Sequence, residues 1–244
     1  MYDKTVLITG AAKRIGATLA RFLHEAGMNV IVHYHRSAKE ANELVRDLNS
    51  KRHDSAITIQ GDLQHHGYYE AIMETAIGFK GRLDVLINNA SAFYPTPVSE
   101  FNDADWHNLI DTNLKAPLFL SKLAAPALRK DKGCIINLTD IHAIRPLARH
   151  SIYSVSKSGL VTLTQSLAKE LAPGIRVNAI SPGAIAWPEN ISAEDKQQIM
   201  KQIPLNRIGE LEDIAKTALF LIRDADYITG QVFNVDGGRS LYSG

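Results

Sequence analysis

The chain has 244 residues, 45% of them hydrophobic, and a formal net charge of +1. That is enough apolar material for a sizeable core, and too little charge for the electrostatic footprint of a nucleic-acid or anionic-membrane binder. Its single cysteine, Cys134, excludes an intramolecular disulfide and a cysteine-rich metal site, and fits a reducing compartment.

The first apolar run, Thr5–Ile8, follows so closely on Met1 that no signal peptide is expected. No apolar run is long enough to span a bilayer, so the expectation is a cytoplasmic protein with no membrane partner. Strands are predicted over Thr5–Ile8, Val30–His33, Ala56–Gln60, Val85–Ile87, Cys134–Leu138, Arg176–Ile180 and Val232–Val235. Helices are predicted over Ile15–Ala26, Ala38–Asn49, Gly67–Phe79, Asp103–Leu128, Ile152–Leu171 and Glu210–Ile222. This alternation predicts an α/β chain: a doubly wound parallel sheet with helices on both faces. No Pro/Gly/Ser-rich linker divides it, so residues 1–244 read as a single domain. Two irregular stretches, Ala90–Asn102 and Ser181–Ser192, follow predicted strands. Both therefore belong at the carboxyl edge of the sheet, where this architecture binds ligands.

Between the first strand and first helix runs Thr9-Gly10-Ala-Ala-Lys13-Arg14-Ile15-Gly16. A glycine turn there lets backbone approach a pyrophosphate, and the helix N-terminus supplies N–H donors. An ordinary strand-to-helix turn is the plainer alternative. Arg14 stands where a three-glycine fingerprint has its middle glycine, and could face phosphate or substrate. The second strand ends in Tyr34-His35-Arg36-Ser37, with no carboxylate before Glu40. An NAD site places Asp or Glu here for the ribose 2′-hydroxyl, whereas an NADP site uses an arginine for the 2′-phosphate. Arg36 and Ser37 therefore predict NADP(H), unless Arg36 merely starts a solvated helix. Asp62 and Leu63 are expected beside the adenine, and Asn88-Asn89-Ala90 beside the ribose and nicotinamide.

Further on, Tyr153 precedes Lys157 by four residues on a predicted helix, which puts both on one face. A lysine cation near a phenol lowers its pKa and readies it to exchange a proton near neutrality. Asp140 lies upstream, after the fifth predicted strand.

Taken together, the chain resembles the short-chain dehydrogenase/reductase family over essentially its whole length. The matching pieces are Thr9-Gly10…Gly16, Asp62-Leu63, Asn88-Asn89-Ala90, Asn113, Tyr153-x-x-x-Lys157, Pro182-Gly183 and Asp236-Gly237-Gly238. The resemblance implies a Rossmann-type fold, NAD(P) binding in which Pro182 and Gly183 also take part, and Tyr153 and Lys157 as catalytic residues. It implies that Asn113 holds a water in a proton relay, and that helices Asp103–Leu128 and Ile152–Leu171 pair copies of the chain, a homotetramer being expected. Within the family, Gly10-Ala-Ala-Lys-Arg14, His33-Tyr-His-Arg-Ser37, Asn89-Ala-Ser-Ala-Phe-Tyr-Pro-Thr-Pro97 and Asp140 look like the pteridine reductases. Most members carry a catalytic serine at the Asp140 position; pteridine reductases carry aspartate. In that group the residues matching Arg14, Ser91 and Phe93 contact the pterin. Trp187 departs from the pattern, standing where many members have a threonine that touches the nicotinamide carboxamide.

These residues suit a pterin chemically. Reducing its C=N bond requires hydride on carbon and a proton on nitrogen. An aspartate can relay that proton or accept hydrogen bonds from ring N–H groups, and Phe93 offers a flat wall. The expected activity is NADPH-dependent reduction of a dihydropterin, with Asp140, Tyr153, Lys157 and Asn113 catalytic. Ser91, Phe93, Arg14 and Trp187 are expected around the substrate, Trp187 from a substrate loop near residues 184–194. A 3-oxoacyl thioester reductase is the alternative within the family, and a non-catalytic NADP-binding sensor the alternative outside it.

Overall fold

The computed structural model describes residues 1–187 and 191–241. Seven strands form one parallel sheet: β1 (Thr5–Ile8), β2 (Asn29–Tyr34), β3 (Ala56–Gln60), β4 (Val85–Asn88), β5 (Cys134–Leu138), β6 (Arg176–Pro182) and β7 (Val232–Val235). Their order is β3-β2-β1-β4-β5-β6-β7. The helices between them are α1 (Arg14–Glu25), α2 (Ala38–Lys51), α3 (Tyr69–Gly78), α4 (Asp103–Ile110), α5 (Ala116–Lys130), α6 (Ser151–Leu171), α7 (Ala193–Lys201) and α8 (Leu211–Arg223). This is a Rossmann-type doubly wound fold, as the alternation predicts.

Both faces of the sheet are covered, so alternate side chains of one strand enter different cores. Val6 and Ile8, Val30 and Val32, and Val85 and Ile87 point to the side closed by α1, α2 and α8. Leu7, Ile31 and Leu86 point to the side closed by α3, α5 and α6. Helix α1 shows the matching period: Gly16, Leu19, Ala20, Leu23 and His24 are its buried residues, one stripe at helical spacing. Cys134 is buried in β5.

Three differences from the sequence-based expectation bear on the site. The predicted helix Asp103–Leu128 is interrupted by a π-helical segment, Asp111–Lys115, that carries Asn113. Such insertions gather at functional sites. Helix α7 follows the irregular stretch Ser181–Ser192, where no helix is predicted; Ser192 caps it, accepting from the Asp195 N–H at 3.0 Å. Strand β6 extends to Pro182, two residues beyond its predicted end. Of the expected 184–194 substrate loop, residues 188–190 lie outside those described.

The chain reverses direction across the sheet between β3 and β4, and the carboxyl ends of β1 and β4 therefore flank an open crevice. A sheet of this type binds its ligand there.

Candidate active site

Gly10 turns the chain out of β1 with φ +60°, and a Cβ there would lie 2.8 Å from Ala90 Cα. At Gly16 a Cβ would lie 2.5 Å from the Gly10 carbonyl oxygen. Glycine is thus required at both places by backbone approach. Arg14 opens α1 with φ +49°, the left-handed region a glycine would take freely, at a cost of about 1–2 kcal/mol. No side chain caps this helix start, which leaves its N–H groups facing the crevice for an anion.

Three side chains lock the turn. Asn89 Nδ2 donates to the carbonyls of Thr9 and Gly10 at 2.8 and 3.0 Å. Thr9 Oγ1 accepts from the N–H groups of Asn89 and Ala90 at 3.0 Å each. His33 is the third, and sequence reasoning assigned it no role. The Gly10 N–H donates to its Nδ1 at 3.2 Å, while its Nε2 meets the Gly61 carbonyl at 3.2 Å. Nδ1 must be bare to accept, so Nε2 carries the proton. Burial, the largest influence, lowers the His33 pKa to about 4.

The resulting groove encloses about 430 Å³, lined among others by Gly10, Arg14, Ile15, His35, Asp62, Leu63, Asn89, Ala90 and Ser91. Asp62 Oδ2 lies 3.5 Å from His35 Nε2 and 3.7 Å from His65 Nε2. Tyr34 instead packs against the core, Arg36 is exposed, and Ser37 starts α2; none of the three lines the groove. Glycines without room for a Cβ, an uncapped helix start and a groove at the strand ends together fit a dinucleotide.

A second cavity of about 470 Å³ opens beside the groove, with Arg14 lining both. Asp140 and Tyr153 line it together with Phe93, Gly183, Ile185 and Trp187. Pro182 ends β6 beside Val235 of β7, so of the Pro182-Gly183 pair only Gly183 reaches a cavity, and it is this one. Tyr153 sits two residues into α6 and donates its hydroxyl to Asp140 Oδ2 at 2.7 Å. Asp140 is oriented through its other oxygen, which accepts from the His142 N–H at 2.8 Å. Lys157, one turn on and 2% exposed, donates from Nζ to the Leu138 carbonyl at 2.8 Å, with Nζ 5.8 Å from the Tyr153 ring centre.

The phenol differs from what spacing alone suggests. Burial first, then the Asp140 carboxylate, push the Tyr153 pKa well above its ordinary value, while Ser91 draws it the other way. The lysine that was expected to lower it is itself desolvated, and burial brings the Lys157 pKa down to about 8. The carboxylate is in contact with the phenol and the ammonium is not, so the nearer charge wins. The tyrosine accordingly keeps its proton and presents it to Asp140.

Asn113 is 1% exposed. Its Nδ2 donates to the Ala92 carbonyl and Ser156 Oγ, both at 3.0 Å, and its Oδ1 accepts from the Ala92 N–H at 2.8 Å. It ties the loop after β4 to α6. Phe93, 56% exposed, stacks on His150 with ring centres 4.9 Å apart and meets Tyr153 edge-on at 4.7 Å. Trp187 has the Lys196 ammonium 5.9 Å from its ring centre. Besides His33, sequence reasoning missed Arg239, which reaches this cavity from beyond β7; its position directly after Asp236-Gly237-Gly238 was the available signal.

Residues 10–240 match the family model described as Enoyl-(Acyl carrier protein) reductase. The chain belongs to the short-chain dehydrogenase/reductase family. It is 38% identical to a 3-oxoacyl-[acyl-carrier-protein] reductase, FabG, of Staphylococcus aureus, over 98% of each chain. It is 34% identical to pteridine reductase 1 of Leishmania tarentolae, over 96% of each. Identity to 3beta-hydroxysteroid dehydrogenase 1 of Eggerthella lenta is 36%, over 100% of this chain and 98% of that one. The chain is thus an oxidoreductase of a family whose reductases use NAD(P)H. Among the described residues no helix is long and apolar enough to cross a membrane.

Proposed function

We propose that this protein is an NADPH-dependent pteridine reductase that converts a dihydropterin to the tetrahydro form. The observation that carries the reading is the hydrogen bond from Tyr153 to the Asp140 carboxylate at 2.7 Å, in a cavity with an aromatic wall at Phe93. A ketone needs a hydroxyl donor to its oxygen. A pterin needs a proton on a ring nitrogen and an acceptor for its ring N–H groups, and a tyrosine–carboxylate pair supplies both.

When bound in the groove, the reduced nicotinamide would supply the hydride. Gly10, the N–H groups at the start of α1 and Asn89 would hold the dinucleotide, with Arg36 and Ser37 reaching its 2′-phosphate from the groove's lip. Tyr153 would deliver the proton, its high pKa keeping it loaded at neutral pH. Asp140 would orient the ring and share that proton. Lys157 would hold charge beneath the pair, Asn113 would position the Ala92 segment, and a water bound there would extend the relay. Phe93, with Ser91, Arg14 and Trp187, would hold the flat ring. We place the enzyme in the cytoplasm. Val155 on α6 and Leu118 on α5 are exposed apolar residues on the helices expected to pair copies of the chain; their exposure supports a homotetramer.

A 3-oxoacyl thioester reductase is the second reading. It is favoured by the apolar wall of Ile185, Ile191 and Ile199 in the same cavity and by the Staphylococcus aureus relative. Ranking a 7,8-dihydropterin, 7,8-dihydrofolate and a 3-oxoacyl thioester by kcat/KM with NADPH separates the two. The dihydropterin is expected to lead, and Asp140→Ala to lower its kcat by at least about tenfold. Robust 3-oxoacyl reduction without dihydropterin turnover overturns the proposal.

A further inference from the structure

Arg239 begins the 3-10 turn Arg239–Leu241 and leans back over the carboxyl edge of the sheet. It stands where the Asp140–Tyr153 cavity meets a second cavity of about 320 Å³ above Ile141–Leu147; His142, Leu147 and Arg239 line both. The two cavities therefore adjoin at this arginine.

The guanidinium is half-buried. Its Nε and Nη2 donate to the same oxygen, Gln202 Oε1, at 3.2 and 3.1 Å. Nη1 makes no hydrogen bond among the described residues, and no described carboxylate comes within 4.0 Å of the group. Burial lowers its pKa, while Asp140 and Asp236, further off, pull the other way. A partly desolvated cation without a paired anion is costly to keep, and a planar guanidinium presents a fork that fits carboxylate or phosphate. Among its described lining residues the adjoining cavity has no acidic side chain. The combined site thus has an acceptor end at Asp140 and a cationic end at Arg239.

We propose that Arg239 is a specificity-determining residue that binds an anionic group, a carboxylate or a phosphate, on the side chain of the substrate whose ring lies over Asp140 and Tyr153. This rests on the dihydropterin reading. Arg239 selects the tail and Asp140 the ring, so the two ends of one ligand are recognised by opposite charges.

Calorimetric titration of the NADP⁺-loaded protein reads binding without turnover. The ligands are 6-methyl-7,8-dihydropterin, with no anion; 7,8-dihydrofolate, with carboxylates; and a 7,8-dihydropterin bearing a side-chain phosphate. The unmodified protein is expected to bind at least one anionic ligand about tenfold or more tighter than the neutral one, and which one identifies the tail. In Arg239→Met that advantage falls by about tenfold to a hundredfold, the loss of a charge-assisted contact; Arg239→Lys keeps part of it. Thermal melting shows that each variant is folded, and Arg239→Lys decides should Arg239→Met not fold. Equal affinity for neutral and anionic ligands in the unmodified protein overturns the subsite alone. So does an equal loss for all three ligands in the variants, which assigns Arg239 to shaping α7 through Gln202. Failure of all three ligands to bind overturns the dihydropterin reading, and this inference with it.

Discussion

Mild acid should weaken this protein through one buried imidazole. His33 is 1% exposed, accepts the Gly10 N–H through Nδ1, and has its pKa lowered from 6.5 to about 4. Above 6.5 the ring is neutral in the folded and the unfolded chain, and adds no slope. Between 6.5 and about 4 the unfolded chain takes up a proton that the folded one refuses, so stability falls as pH drops; below about 4 the loss levels off. A shift of this size withholds about 3 kcal/mol at the plateau and about 2 kcal/mol at about pH 5. For a domain of this length, that is roughly 4–8 °C in melting temperature. The substitution His33→Asn keeps an acceptor for the Gly10 N–H and removes the titrating ring. The variant should therefore melt lower than the unmodified protein near about pH 8, through a lost hydrogen bond to Gly61, and the gap should close by about 2 kcal/mol on going to about pH 5. His24, whose pKa burial also lowers, is present in both proteins and cancels. Parallel melting curves, with a gap independent of pH, would refute the assignment of this acid sensitivity to His33. In the folded protein His33 takes its proton only near about pH 4 and then no longer accepts the Gly10 N–H, so NADPH affinity should hold through mild acid and weaken only as the pH approaches that value.

Tyr153→Phe should lose about a hundredfold to ten-thousandfold in turnover while NADPH still quenches protein fluorescence, because only the transferable proton is removed; retention of more than about half the rate would assign the proton to another donor. Arg36→Ala should raise the NADPH KM by about tenfold to a hundredfold, the value of a charge-assisted phosphate contact, and leave NADH kinetics nearly unchanged. Equal use of both cofactors by the unmodified protein would remove the basis for that assignment.

What could be read from the sequence follows from which interactions are local. The seven strands were legible because both faces of the sheet are buried, and runs such as Thr5–Ile8 and Cys134–Leu138 are continuously apolar between turns. Helix α7 was not, because Ala193–Lys201 buries no residue and so writes no apolar stripe; its Ser192–Asp195 cap was the one local sign. The π-helical insertion at Asp111–Lys115 left no mark either, since one displaced turn barely alters the apolar spacing of a long helix.

The site divides the same way, and the division bears on how its chemistry is argued. Tyr153 and Lys157 share one helix, so four-residue spacing puts them on one face. Spacing says nothing of what else reaches that face. Asp140 comes from the end of β5 and takes the Tyr153 hydroxyl, while Lys157 turns to the Leu138 carbonyl of the same strand. Burial first, and then this carboxylate, raise the phenol's pKa where a two-residue reading makes it fall. His33 and Arg239 belong to the same class: one reaches Gly10 across the β1–β2 pair, the other arrives from beyond β7. A motif predicts the groups that do the work, but their protonation is decided by neighbours that only the sheet topology brings in. A tyrosine that holds its proton can deliver it to a carbonyl oxygen or to a ring nitrogen as hydride arrives; what favours a dihydropterin in the proposed reading is the carboxylate beside it, an acceptor for ring N–H groups that a simple ketone does not carry.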